Sequence, residues 1–207
     1  MQPPPAGIWG LPAEKLAELP GYSSDAPKNR AEAKQLMQRL GYGPGNRLKV
    51  KVTVRDLPYL RDPAVLLIDQ LKEVYIDGEL ETVDTTIYLP KLLKRDFIVG
   101  LAPAGSGSDP DQSLYTVYSC GGELNYAGYC SAELDALIDR QSIAAADPSH
   151  RRRILWEIER KLAADGARPI IFYDRRATCW QPYVKDFTLM NNSTFNGARM
   201  EDVWLDK

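Results

Sequence analysis

The stretch Phe97-Ile98-Val99-Gly100-Leu101, continued by Ala102-Pro103-Ala104-Gly105-Ser106-Gly107-Ser108-Asp109-Pro110-Asp111 and closed by Cys120, Asn125-Tyr126 and Cys130, decides how this chain is read. Residues 97–101 carry no charge, which predicts a central strand, because strands covered on both faces read as continuous apolar runs. The glycine- and serine-rich segment after it predicts a loop. Asp109-Pro110-Asp111 predicts the cap of a short helix over 113–119 rather than a cation site. A second loop follows, bracketed by two cysteines.

Upstream of this stretch, helix and strand periods alternate. Ala33, Leu36, Met37 and Leu40 predict the inner face of a helix over 29–40, with Asn29 and Glu32 as capping box and Gly41 as its stop. Leu48, Val50, Val52 and Val54 alternate with polar residues, predicting a half-buried strand. Asp62-Pro63 predicts the start of a helix lined by Ala64, Leu67, Ile68, Leu71 and Val74. A strand over 79–83 and a helix over 86–94 follow, in which Pro90 is tolerable only near the first turn. The order strand, helix, strand, helix, strand points to an α/β lobe. Residues 1–28 show no sustained period and read as a lead-in anchored by Trp9 and Tyr22.

Downstream, Ser131 caps a helix carrying Leu134, Leu137 and Ile138. Asp147-Pro148 caps a longer one carrying Ile154, Leu155, Ile158 and Leu162, stopped by Gly166. Residues 169–173 and 177–181 predict two further strands. The tail from Pro182 is irregular, with Phe187, Leu189, Phe195, Val203 and Trp204 available for packing. The chain therefore divides into a lead-in (1–28), an α/β lobe (29–168) and returning strands with a tail (169–207).

A net charge of −2 argues against nucleic acid as a partner, since phosphate binding needs a basic surface. No apolar run reaches the roughly 18 residues of a membrane span. Met1-Gln2-Pro3-Pro4-Pro5 has neither the basic nor the apolar region of a signal peptide. The single His, His150, precedes Arg151-Arg152-Arg153, and all four read as a solvated helix face rather than as a general base with partners. Gly105-Ser106-Gly107 lacks the Gly-Lys-Ser/Thr continuation of a phosphate loop. The three cysteines lack the C-x-x-C spacing of a metal site, so no metal or cofactor is expected. On spacing alone, Cys120 and Cys130 are either a disulfide or, with Cys179, buried thiols. Tyr118, Tyr126, Tyr129 and Trp180 stand near loops after strands, where aromatic faces can line a ligand cleft; taken singly, each reads equally as ordinary core.

Several segments in order resemble the C-terminal part of the peptide/nickel class of ABC-importer solute-binding proteins. These are Ala31–Met37 with Leu40-Gly41-Tyr42, Ile68–Lys72, Asp96-Phe97, Asp109-Pro110-Asp111, Asn125-Tyr126, Asp135–Asp139, Arg153 with the helix to Leu162, and Pro169-Ile170-Ile171. The resemblance implies a periplasmic-binding-protein-like second lobe, a mixed sheet flanked by helices, and a C-terminal segment returning to the hinge. It implies that the chain is cut at its start, ends naturally near Trp204, and lacks the N-terminal lobe. It also implies a Cys120–Cys130 disulfide, since dipeptide-binding members carry a cysteine pair flanking the same Asn-Tyr segment, and a periplasmic location.

Three departures bear on the ligand. Ser106 stands where peptide binders carry the Asp that holds the ligand's amine. Leu101 replaces a Trp. Tyr59 matches the family's Tyr, but Leu57 replaces the Arg two residues before it, leaving Arg55 or Arg61 as substitutes. A zwitterionic dipeptide would lose both charged anchors, so an oligopeptide held by its backbone, or another solute, fits better. The expected function is solute capture between two lobes for delivery to a membrane permease. The expected cleft residues are Ser106, Ser108, Tyr118, Asn125, Tyr126 and Tyr59. The alternatives are a hydrolase using Asp109 or Asp111, and a stand-alone interaction module, which would show no large exposed apolar face beside residues 1–28 and 182–207.

Overall fold

The structure is a computed structural model that describes residues 1, 7–103, 109–173, 178–189 and 198–207. Its centre is a three-stranded parallel sheet in the order β2-β1-β3, formed by β1 (Leu48–Arg55), β2 (Ile76–Val83) and β3 (Val99–Gly100). Two crossover helices connect the strands, α1 (Pro58–Lys72) and α2 (Thr85–Leu93). This is the α/β lobe that the alternating periods predict.

The expected central strand is β1, not residues 97–101. Only Val99 and Gly100 pair, against Val52 and Thr53, so β3 lies at an edge of the sheet. In β1 the alternation holds through Lys51 and then stops: Val52, Thr53 and Val54 are all buried. Thr53 satisfies its hydroxyl by donating to Glu81 (2.7 Å) on the neighbouring strand. Val52, Val54, Ala64 and Leu101 form the sheet core, with Leu67, Ile68 and Leu80 packed against it.

Helix boundaries move for identifiable reasons. The helix α3 (Ala26–Arg39) precedes the sheet and is capped by Asp25, whose carboxylate accepts from the Lys28 N–H (3.0 Å). Asn29 instead bonds to Ser23. Of its expected inner face only Met37 is buried, while Leu36 and Leu40 are exposed. Helix α1 begins at Pro58, directly after extended Leu57, so Asp62-Pro63 lies inside it. Pro90 is likewise interior to α2, whose cap is Asp84.

A second core is helical. Helices α4 (Asp111–Tyr118), α5 (Ala132–Ile143) and α6 (Pro148–Ala164) bury Leu114, Leu134, Leu137, Ile138, Ile154, Leu155 and Ile158 together. Their predicted caps are in place: Ser131 accepts from the Leu134 N–H, and Asp147 from those of Ser149 and His150. The lead-in, with a short helix α7 (Ala13–Leu16), docks on α6. The Leu11 N–H donates to Glu159 (2.6 Å), the Trp156 indole donates to the Gly10 carbonyl (3.0 Å), and Trp9 packs on the helical core.

Residues 169–173 do not form a strand, because no described strand pairs with them, and Ile170 to Tyr173 are exposed, Phe172 by 56%. Of the predicted strand at 177–181, residues 178–181 are not in a strand and 177 lies outside the described residues, as do Arg175-Arg176 and Phe195. The tail carries two short antiparallel pairs, Val184–Lys185 with Trp204–Leu205 and Thr188–Leu189 with Ala198–Arg199. Trp180 packs on Phe187, with ring centroids 4.9 Å apart.

Ile158→Ala is expected to cost about 2–5 kcal/mol in chemical denaturation, as for a fully buried aliphatic side chain. Leu66→Ala, on a side chain 65% exposed on α1, should cost no more than about 0.5 kcal/mol. Similar losses for the two variants would contradict this placement of the core.

Candidate ligand-binding cleft

The sheet core and the helical core meet along a small open cleft. From the sheet side come Leu92, Phe97, Gly100 and Ala102; from the helical side come Tyr118, Asn125, Tyr126 and Arg168. Its volume is about 70 Å³, far below the roughly 300–1,000 Å³ of a site that encloses a small-molecule ligand. It is a wall rather than a closed pocket.

The loop between α4 and α5 brings residues 124–127 and Tyr129 to that wall, and two devices hold it. Cys120 and Cys130 are disulfide-bonded, with Cα atoms 4.3 Å apart. Asn125 is buried inside the loop. Its amide nitrogen donates to the carbonyls of Ser119 (2.9 Å) and Tyr129 (2.6 Å), and its oxygen accepts from the Tyr129 N–H (3.1 Å). Gly128 has φ +66°, a left-handed turn that favours glycine, and the Arg95 guanidinium lies against it.

Upstream, α4 is fixed by a buried ionic cluster. The Arg151 side chain is only 6% exposed and makes a two-pronged contact with Asp109, Nη1 to Oδ2 at 2.6 Å and Nη2 to Oδ1 at 2.7 Å. Its Nε donates to Gln141 Oε1 (2.9 Å), and the Gln141 amide donates to Asp111. Trp9 lies against the guanidinium, 5.0 Å from the ring centroid. Asp109 also accepts the Asp111 N–H (2.9 Å), while the N-cap position of α4 is Pro110, so the helix starts two residues before the expected 113. Arg151 is therefore not a solvated residue: the helix face that looked like an arginine run turns its first member inward, while His150 and Arg153 remain exposed. Hydrogen bonding from Arg151 holds the Asp109 carboxyl below the usual carboxylate range. An acid held ionised in an ion pair is a poor proton donor.

The expected cleft residues separate into three groups. Tyr118, Asn125 and Tyr126 come together on the wall. Tyr59 stands apart, 58% exposed on the first turn of α1, where its hydroxyl accepts from Arg55 (3.1 Å) at the carboxyl end of β1. Ser106, Ser108 and the rest of the Gly105-Ser106-Gly107 segment lie outside the described residues. Of the two arginines near the missing anchor, Arg61 pairs with Asp56 and Asp62. Arg55 makes no ion pair among the described residues, and its Nε is buried without a hydrogen-bond partner. The remaining thiol, Cys179, is exposed rather than buried.

Sequence reasoning missed Arg168. It follows the helix stop at Gly166, where φ is +58° and the Ala167 N–H returns to the Leu162 carbonyl (3.2 Å). That turn carries the chain off α6 and across the cleft. Buried tyrosines surround the same space. Tyr88 donates its hydroxyl to the Leu101 carbonyl, and burial pushes its pKa up to about 12. Burial also raises the Tyr118 hydroxyl, and Arg168 opposes the rise at both. No group of three or more potential metal ligands occurs among the described residues, and none of their helices is long and apolar enough to cross a membrane.

No family profile and no curated protein matches the chain. Solved structures do. Haemophilus influenzae OppA in complex with RPPGFSPFR superposes over 94% of this chain and 38% of its own, with TM-score 0.76 and 20% identity. The fold is that of the peptide/nickel ABC solute-binding proteins. The Listeria monocytogenes ABC transporter substrate-binding protein CtaP matches over 72% of this chain and 30% of its own, with TM-score 0.62 and 25% identity. NikA from Staphylococcus aureus, solved with Ni(L-His)2, matches over 67% and 29%, with TM-score 0.56 and 22% identity. The chain thus spans about a third of the length of the proteins it resembles.

Two outcomes are expected of this geometry. Cys120→Ser with Cys130→Ser, or reduction, should lower stability by about 2–3 kcal/mol, the range for a short closed loop. Intact mass before and after reduction and alkylation should report the bridge directly. Asp109→Asn should cost about 1–3 kcal/mol, less than the 3–5 of a fully buried pair, because half of the Asp109 side chain stays in water. Its folded-state pKa is depressed, so its contribution is complete above the ordinary carboxylate pKa and is lost as pH falls through the folded value. The variant's Tm should therefore differ from the parent's at neutral pH and converge with it in acid. A constant difference down to low pH would exclude the pair as the cause.

Proposed function

We propose that this chain is part of the solute-binding component of an ABC importer, which captures a peptide or similar small solute between two lobes and delivers it to a membrane permease. The observation that carries this reading is a wall without its opposite side. An ordered aromatic cleft too small to enclose a ligand lies on a lobe whose fold matches 94% of this chain but only 38% of OppA. The exposed Ile170 to Phe172, Trp180 and Trp204 supply the apolar surface that a partner lobe would cover, and a stand-alone module predicts no such face. Closure of two lobes around a solute would complete the site by hinge motion. Residues 1–28, 29–168 and 169–207 then serve as lead-in, lobe and hinge-side return, and the periplasm is the compartment that suits the bridged loop.

The ligand-facing residues of this reading are Tyr118, Tyr126, Ser106, Ser108 and Tyr59. Asn125 acts one step back, since its amide is already engaged in holding the loop. Peptides are the first class to test, and a dipeptide with both ends charged is the least favoured, given Leu57 and Ser106.

The test is to purify the longer protein containing this chain, denature it, and identify the retained small molecules by mass spectrometry. Recovery of a peptide or comparable solute in near-stoichiometric amount is expected, with much weaker retention by the 207-residue chain alone. Chemical turnover of the recovered solute by the longer protein would overturn the reading in favour of an enzyme.

A further inference from the structure

The Arg168 guanidinium acts on the fold only at a distance, through the neighbouring phenols of Tyr88 and Tyr118. It lines the cleft beside Tyr118 and Tyr126, and among the described residues it makes neither an ion pair nor a hydrogen bond. Lys91, Arg151 and Lys161 each have a carboxylate partner. The Tyr118 and Tyr126 hydroxyls are also without hydrogen-bond partners among the described residues, although Tyr118 lies largely beneath its neighbours. Arg168 is close enough to Tyr88 and Tyr118 to favour their ionised forms against the push of burial. A half-buried cation with no counter-charge loses part of its hydration without compensation.

An arriving anion would restore that balance. The planar guanidinium presents parallel N–H groups that match a carboxylate, two phenol hydroxyls stand by as further donors, and Phe97 and Leu92 offer an apolar floor. We propose that Arg168 is the anchor for a carboxylate on the bound solute, with the solute's apolar or aromatic body laid against Tyr118, Tyr126 and Phe97. This rests on the solute-binding reading above and narrows its substrate class to solutes carrying a carboxylate at this wall.

Arg168, Tyr118, Tyr126 and Phe97 all belong to this chain, so the anchor can be tested on the chain itself. Phenylacetate and its neutral counterpart phenylacetamide are titrated separately, with binding followed by calorimetry and by the ring resonances of Tyr118 and Tyr126. Phenylacetate should bind at millimolar concentration and shift both tyrosines, with phenylacetamide weaker by roughly ten-fold or more, as the loss of a charge-assisted contact predicts. Arg168→Gln should remove the preference, Arg168→Lys should keep part of it, and the exposed control Arg153→Gln should leave it unchanged. Equal binding of the two probes, binding of neither, or a preference that survives Arg168→Gln in a folded variant would each overturn the proposal. The parent-chain comparison needs no variant to fold. If the longer protein retains only solutes without a carboxylate, the anchor is refuted and the importer reading stands. If phenylacetate binds as described while the longer protein retains nothing, the anchor stands and the importer reading does not.

Discussion

A buried guanidinium must be answered by charge and by hydrogen bonds, or it costs several kcal/mol. Arg151 meets that requirement with groups from separate elements: Asp109 at the entry to α4, Gln141 on α5, and the ring of Trp9 from the lead-in. Because the donors of a guanidinium are fixed in one plane, meeting them fixes the relative placement of these partners. The apolar packing of Leu114, Leu137 and Ile154 holds the helices together. The ionic cluster sets their register, and with it the height at which Tyr118 emerges on the cleft wall.

Much of this was legible in the sequence wherever a local rule decided the outcome. Ser131 and Asp147 cap the helices they were expected to cap, and Leu134, Ile138, Ile154 and Ile158 are buried because a 3.6-residue period leaves little freedom. What failed depended on partners distant in the chain. Arg151 looks like its two neighbours until Asp109, 42 positions away, is brought beside it. Residues 97–101 have the composition of a central strand, yet pairing with Val52 and Thr53 on one side alone leaves them at an edge. Residues 169–173 have strand composition and no described strand beside them. Leu36 and Leu40 keep helical spacing, but no described element covers them.

The cleft shows the same division. Tyr118, Asn125 and Tyr126 could be grouped from the sequence because they stand on one short segment. Tyr59 could not be placed, since its position depends on how β1 ends, and Arg168 escaped notice because a residue after a helix stop carries no periodic signal. The resemblance to the peptide/nickel solute-binding proteins implied the fold of the lobe, and the superposition on OppA shows that fold.

The loop from Cys120 to Cys130 separates holding from touching. The disulfide and the Asn125 amide fix its backbone, and neither needs the side chain of Tyr126 to do so. Conformational entropy at this wall is therefore already lost before any solute arrives, and binding does not have to supply it. It also means that position 126 can change identity with little consequence for folding. Under the proposed solute-binding role, a lineage carrying this loop could explore new solutes by substitution at that one position while its scaffold stayed constant, so diversity of cargo and constancy of fold would come from the same eleven-residue frame, Cys120 through Cys130.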